Sequence, residues 1–199
     1  MTPRRFQNLT RRYAGLRVAI LGDFSLDRYL EIDPARAETS LETGLEVFNV
    51  VNVRAQPGSA GTILNNLCAL GVGTIHPIGF CGVDGEGFEL LAALRAKPGV
   101  VTDHFLQTPG RCTFTYCKPL VLEAGRPPRE LNRLDRKNWL PTPAEVQNHL
   151  IESLYAVAGE VDALIVMDQV DRAGTGVITP AVLEAVQTVS RQRRTLPIL

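Results

Sequence analysis

The chain has 199 residues, 45% of them apolar and 21% charged, and its 21 basic and 21 acidic side chains cancel. This is enough apolar material for one sizeable core, too little charge bias for a disordered chain, and no argument for a nucleic-acid groove or an anionic membrane surface as partner. No apolar run approaches the roughly 18–20 residues of a membrane-spanning helix and the start lacks the apolar core of a secretory signal, so a soluble cytoplasmic protein acting on small molecules is expected.

In chain order, Phe6, Leu9, Tyr13 and Leu16 recur at helical spacing beside Arg4, Arg5, Arg11 and Arg12, which predicts a docking helix in preference to a targeting segment. Val18–Asp23 is a continuous apolar run ending in Gly-Asp and suits a central strand buried on both faces. Asp23 and Asp27 then fall beyond its carboxyl end, where open α/β sheets usually place ligands. From Glu31 to Gln56 the texture changes, and the β-branched stretch Leu45–Arg54 reads as one or two strands outside the main sheet. Pro57-Gly58-Ser59-Ala60-Gly61 breaks that strand, and Thr62 opens a helix with Ile63, Leu64, Leu67, Cys68 and Leu70 that stops at Gly71. A glycine-containing loop feeding a helix offers exposed backbone amides to a polar ligand.

Thr74–Phe80 is a second core strand, followed by Gly79-x-x-Gly82-x-Asp84-x-x-Gly87 and an amphipathic helix through Phe88, Leu90, Leu91 and Leu94. Asp84 fits a structural role as cap of that helix. Val100–Gln107 and Arg111–Leu122, separated by Pro109-Gly110, look like a hairpin or two neighbouring strands. Thr142-Pro143 opens a helix to about Ala158, Ala163–Met167 is a buried strand with Asp168 at its end, Thr179-Pro180 starts a further helix, and Leu196–Leu199 begins one more strand. Stopping there, the chain reads as a fragment, a single unit over residues 1–199 with a small β excursion at about 31–56 and 100–122. Cys68, Cys81, Cys112 and Cys117 form no CxxC pair and have no histidine at zinc-ligand spacing, so free thiols and no metal site are expected. Arg191, Arg193 and Arg194 read as a solvated helix end.

No Walker A segment and no GxGxxG occurs, so neither a P-loop nor a Rossmann fingerprint is supported. The order of the weaker motifs is more specific. Gly22-Asp23-Phe-Ser-Leu-Asp27-Arg-Tyr29 after the first strand, Pro57-Gly58 opening a helix that ends Leu70-Gly71, and Gly79-x-x-Gly82-x-Asp84-x-x-Gly87 after the second strand together resemble the N-terminal half of ribokinase-like (PfkB) carbohydrate kinases. Asp27-Arg28-Tyr29 and Leu131-Asn-Arg-Leu-Asp135 look most similar to the heptose-phosphate kinase branch. The resemblance runs from about Leu16 to the last residue and implies an α/β, ribokinase-like three-layer sandwich with a small β lid, truncated before its C-terminal ATP-binding part.

The resemblance also implies roles. Asp27 matches the aspartate that accepts from sugar hydroxyls, with a local turn cap as the plainer alternative, and Asp23 is open between the same two readings. Gly58 and Ser59 match a Gly-Gly loop that closes over the sugar. Thr62 stands where the family places a substrate-binding Asn, with Asn66 displaced along the helix. Arg133 and Asp135 read either as contacts to a phosphorylated or acidic substrate or as a solvated ion pair. Asp168 sits where heptose kinases continue Asp-Tyr-x-Lys-Gly, whereas here Gln169-Val-Asp-Arg follows. The family's catalytic base is an Asp in a Gly-Ala-Gly-Asp segment that these residues do not contain. ATP and Mg²⁺ are therefore implied for the intact protein with no site in this chain, and the chain alone is expected to be inactive. The implied partners are a sugar or sugar phosphate and a second copy paired through lid strands. A non-catalytic sugar-binding sensor or scaffold on the same fold is the second reading.

Overall fold

The computed structural model describes residues 2–199. Eleven strands and five α-helices follow in the order α1 (Pro3–Thr10), β1 (Arg17–Gly22), β2 (Phe24–Ile32), β3 (Glu38–Thr39), β4 (Glu46–Val47), β5 (Val50–Ser59), α2 (Ala60–Ala69), β6 (Thr74–Gly82), α3 (Gly85–Arg95), β7 (Phe105–Thr108), β8 (Phe114–Val121), β9 (Arg129–Glu130), β10 (Leu134–Arg136), α4 (Ala144–Ala158), β11 (Ala163–Met167) and α5 (Pro180–Gln192).

The apolar runs build a parallel central sheet in the order β11-β1-β6-β7. Alternation along β1 sends Ala19 and Leu21 to one face, where they pack with Ile78, Phe80, Leu150, Leu154, Val182 and Val186 under α4 and α5. Val18 and Ile20 go to the other, with Leu64, Ile75, Leu90 and Leu94 under α2 and α3. Helices on both faces of one sheet make three layers, the arrangement that near-continuous apolar strands require. The last residues add to this sheet: Ile198 bridges Leu164 in parallel, and the Val166 amide donates to Leu199 O at 2.9 Å.

A second sheet, β10-β8-β2-β5 with β9 on β8, stands beside the first. One residue, Asp23, separates β1 from β2, so the chain passes from the central sheet to the second almost without a loop. Phe24–Ile32 is thus a nine-residue strand, not a loop beyond the first strand, and Asp27 lies in its middle. The alternation Phe24, Leu26, Arg28, Leu30, Ile32 against Ser25, Asp27, Tyr29, Glu31 is the sequence signal for it. The strand expected to break at Pro57 instead runs to Ser59, pairing Leu26 with Pro57 and Phe24 with Ser59; β5 is an edge strand, where proline is tolerated. Residues 105–108 and 114–121 are not a hairpin: β7 pairs with β6 in the central sheet, and β8 pairs in parallel with β2 in the second.

Two end-of-helix readings change. Helix α1 buries none of its residues, with Phe6 52% exposed, so the face expected to dock is largely open to solvent. Arg193 is not merely solvated: its Nη1 donates to Ala158 O at 2.7 Å and satisfies the end of α4. Asp84 caps α3 as expected, accepting from the Gly87 amide at 2.8 Å. It also takes the Thr113 hydroxyl at 2.6 Å, the Thr113 amide at 3.0 Å and Arg136 at 2.9 Å, so one carboxylate ties α3 to the second sheet.

Candidate functional site

Parallel pairing of β2 with β8 sets Asp27 beside Tyr116 and Tyr29 beside Lys118. Because residues two apart share a face, these four side chains form one patch. Lys118 Nζ donates to Asp27 Oδ2 at 2.9 Å and sits 5.0 Å from the centre of the Tyr29 ring. Burial pulls the Lys118 pKa down, but the hydrogen bond and charge of Asp27, with Tyr29, outweigh it and hold the ammonium above its ordinary value. Antiparallel β10 brings Asp135 opposite Tyr116. Arg133 stacks over the Tyr116 ring at 4.8 Å while its guanidinium grips Asp135 through two bonds of 2.6 and 2.8 Å. Lys137 joins Asp135 at 3.3 Å and also pairs with Asp171. Burial pushes the Asp135 carboxyl up, yet its bonds to Arg133 and Lys137 prevail and its pKa is lowered.

These groups line a basin of about 470 Å³ whose walls are Asp27, Ser59, Thr62, Ile63, Tyr116, Lys118, Arg133, Lys137, Met167, Gln169 and Asp171, a size ordinary for a small-molecule site. Five parts of the chain converge: β2 supplies Asp27, β8 supplies Tyr116 and Lys118, the β5–α2 junction supplies Ser59 and Thr62, the β10 flank supplies Arg133 and Lys137, and the segment after β11 supplies Gln169 and Asp171. Close approach explains Gly58, since a Cβ there would stand 2.6 Å from Asp27 Oδ1 and 2.7 Å from Ser25 Oγ. Its neighbour Ser59 adopts φ 56°, ψ −121°, backbone space that favours glycine; its Oγ is held 2.9 Å from Ser25 Oγ. A strained residue at the mouth of a helix is a recurrent mark of ligand sites.

Of the residues singled out from the sequence, Asp27, Ser59, Thr62 and Arg133 line this basin together. Gly58 lies beneath Asp27. Asn66 is exposed on α2 and is not part of the lining; its neighbour Asn65 turns inward, donating to Pro57 O at 3.0 Å. Asp168 is exposed and also outside the lining, though Met167 and Gln169 on either side belong to it. Asp23 is buried, 3% exposed, with both carboxylate oxygens occupied by backbone amides, Gln169 at 2.9 Å and Val177 at 2.7 Å. It is not free for a ligand. Tyr116, Lys118, Lys137, Gln169 and Asp171 went unread in the sequence. Period-2 alternation in the strand at 114–121 does put Tyr116 and Lys118 on one face, but nothing in a single sequence says that this face meets Asp27.

A parallel central sheet flanked by helices, with a second small sheet over the carboxyl ends of its strands, is the ribokinase-like fold. Solved structures agree on the fold: a carbohydrate kinase from Agrobacterium tumefaciens superposes with a TM-score of 0.58 at 19% identity, covering 92% of this chain and 52% of that one. Ribokinase from Arabidopsis thaliana, complexed with ribose and ATP, gives 0.52 at 13% identity over the same share of each. Among curated proteins, the bifunctional protein HldE of Trichlorobacter lovleyi is 32% identical over 193 residues, 97% of this chain and 36% of that protein. No family model matches the chain. The chain is thus similar to HldE proteins and has the ribokinase-like fold, and it spans about a third of the length of the curated relatives it matches.

The resemblance to carbohydrate kinases implies ATP and Mg²⁺ for the intact protein. Among the described residues no group of three or more His, Cys, Asp or Glu side chains could hold a metal ion, and the sequence has no glycine-rich phosphate loop of the P-loop type. No residue of this chain is therefore assigned to the nucleotide or its cation.

Proposed function

We propose that this chain is the acceptor-binding part of an ATP-dependent sugar kinase and that the basin takes a sugar or sugar phosphate. The observation that carries the reading is the Asp27–Lys118 pair within a basin whose far side is cationic. A carboxylate accepts from vicinal hydroxyls, and an ammonium 2.9 Å away fixes its position and can donate to the same hydroxyls. Arg133 and Lys137, stacked at 4.8 and 5.8 Å over Tyr116, suit a phosphate at the other end of a sugar chain. Their acidic partners Asp135 and Asp171 hold them in place before a ligand arrives. The resemblance of the Asp27-Arg28-Tyr29 and Leu131–Asp135 segments to heptose-phosphate kinases favours a heptose phosphate over a neutral hexose.

The second sheet then acts as a lid over the sugar, shielding it from water. In the intact enzyme the acceptor hydroxyl would attack the γ-phosphate of ATP, a cytoplasmic reaction. Without a Gly-Ala-Gly-Asp segment in these residues, the chain alone should bind the sugar and not turn over ATP. Copies would pair through the uncovered edge of β5.

Calorimetric titration of the chain with hexoses, hexose phosphates and sedoheptulose 7-phosphate tests the reading. Saturable binding of a phosphorylated sugar, weakened at least tenfold by Asp27→Ala and by Lys118→Met, is the expected result. Absence of binding across the whole panel would refute it.

A further inference from the structure

The segment from Asp168 to Val177 after β11 contributes Gln169 and Asp171 to the basin, and it is fastened from beneath by two buried charges, neither of which is itself part of the basin lining. Asp23 takes the amide of Gln169 at one end of the segment and that of Val177 at the other. The Asp23 backbone completes a junction: its amide donates to Met167 O at 3.2 Å, and its carbonyl accepts from Ala60 N at 2.9 Å. The end of β1, the first residue of α2 and both ends of the segment thus meet on a single residue. There is no slack in the contact. Gly176 has no room for a side chain, because a Cβ there would collide with the Asp23 carboxylate.

The second charge is Arg111, 7% exposed, which reaches the segment from the opposite side. Its guanidinium donates to Thr175 O and, at 2.9 Å, to Leu140 O, and it lies 5.4 Å from the centre of the Phe80 ring. Thr142 adds two further ties, its amide to Gly174 O at 2.8 Å and its hydroxyl to Gly176 O at 2.7 Å. Burying a carboxylate is costly unless every oxygen is satisfied. Burial raises the Asp23 pKa, against the lowering effect of the Gln169 and Val177 amides. A chain of apolar residues could close the same gap at less cost, so the buried acid is explained by what it does to the segment.

We propose that Asp23 is a positioning residue for the basin: by fixing both ends of the 168–177 segment, it sets where Gln169 and Asp171 stand relative to Asp27 and Lys137, with Arg111 holding the segment again at Thr175. This rests on the sugar-phosphate reading of the basin. It differs from a substrate contact, because the acid acts through backbone amides and not on a ligand.

Asp23→Asn tests it by preserving shape while replacing one acceptor with a donor that faces an amide. Amide hydrogen exchange of the Asn variant should accelerate at least tenfold at Gln169 and Val177 and stay unchanged in α4. Affinity for sedoheptulose 7-phosphate should fall about tenfold at a temperature well below both melting transitions. Arg111→Lys, which keeps the charge but cannot span Leu140 O and Thr175 O together, provides a second variant should Asp23→Asn fail to fold; it should loosen exchange at Thr175 and weaken affinity severalfold. Unchanged exchange at Gln169 and Val177, or loosened exchange with wild-type affinity, overturns the positioning role. If the unaltered chain binds no sugar phosphate, the sugar-phosphate reading of the basin fails and the positioning role falls with it, which the unaltered control separates from the variant results.

Discussion

The two sheets of this molecule are built from opposite kinds of strand. In the central sheet β1 buries every residue from Val18 to Gly22, and both faces are covered by helices. In the second sheet β5 leaves Val50–Gln56 exposed on both faces, and β2 is buried at its ends while Asp27–Glu31 are half-buried. The central sheet is a scaffold held by burial; the second spends its strands on presenting polar side chains, with alternation placing Asp27 and Tyr29 beside Tyr116 and Lys118. Stability and ligand chemistry are therefore separable here, and mutations should separate them.

The largest effect on stability should come from the scaffold. Leu154, 1% exposed under the central sheet, should cost about 3–4 kcal/mol when changed to Ala, from lost burial plus the cavity left behind, read as a fall in melting temperature. Next is the carboxylate that ties α3 to the second sheet: Asp84→Asn should cost about 2–3 kcal/mol through the lost cap and charge-assisted bonds. That loss should depend on pH. Burial pushes the Asp84 pKa up, but Thr113, the Gly87 amide and Arg136 together bring it below its ordinary 3.8. A depressed pKa contributes stability above the unfolded value that disappears as pH falls through the folded one. The difference in melting temperature between the unaltered chain and Asp84→Asn should thus hold from pH 7 to about 5 and shrink below about 4. Asp23 has the reverse sign: its raised pKa means that acidification should stabilise the unaltered chain relative to Asp23→Asn.

Smaller and opposite in direction, Ser59→Gly should stabilise by about 1 kcal/mol by relieving the strained backbone at φ 56°, while weakening ligand affinity through the lost hydroxyl. A gain in stability with loss of binding would place strain inside the site. Smallest of all, Val53→Thr on the exposed second sheet, 52% exposed, should change stability by less than about 0.5 kcal/mol. A larger loss would mean that β5 is covered in solution, which is what pairing of two copies through this strand requires.

The same contrast explains what the sequence disclosed. Strands β1, β6 and β11 are legible because a strand buried on both faces must be continuously apolar, and the helices between them announce themselves through Gly71, Asp84 and Thr179. The second sheet is harder, because its strands are short, half-polar and paired across long separations. Asp27 and Lys118 are 91 residues apart in the chain. Motif order was enough to single out Asp27, Ser59, Thr62 and Arg133, which do converge. It could not reveal Lys118, Lys137, Gln169 or Asp171, whose relevance exists only once β8 lies beside β2 and the 168–177 segment is folded back. Asp23 shows the complementary limit: a carboxylate at a strand end looks the same in sequence whether it faces a ligand or two backbone amides.

The central claim is that the polar face of the second sheet, and no other surface, receives the sugar phosphate. Titrating the ¹⁵N-labelled chain with sedoheptulose 7-phosphate and following every amide tests it most directly. The account predicts saturable shifts clustered at Asp27, Ser59, Thr62, Tyr116, Lys118 and Gln169, abolished by Asp27→Ala. Shifts centred instead on the groove at the far end of the same sheet, around Phe48, Val121, Arg129 and Leu131, would contradict it.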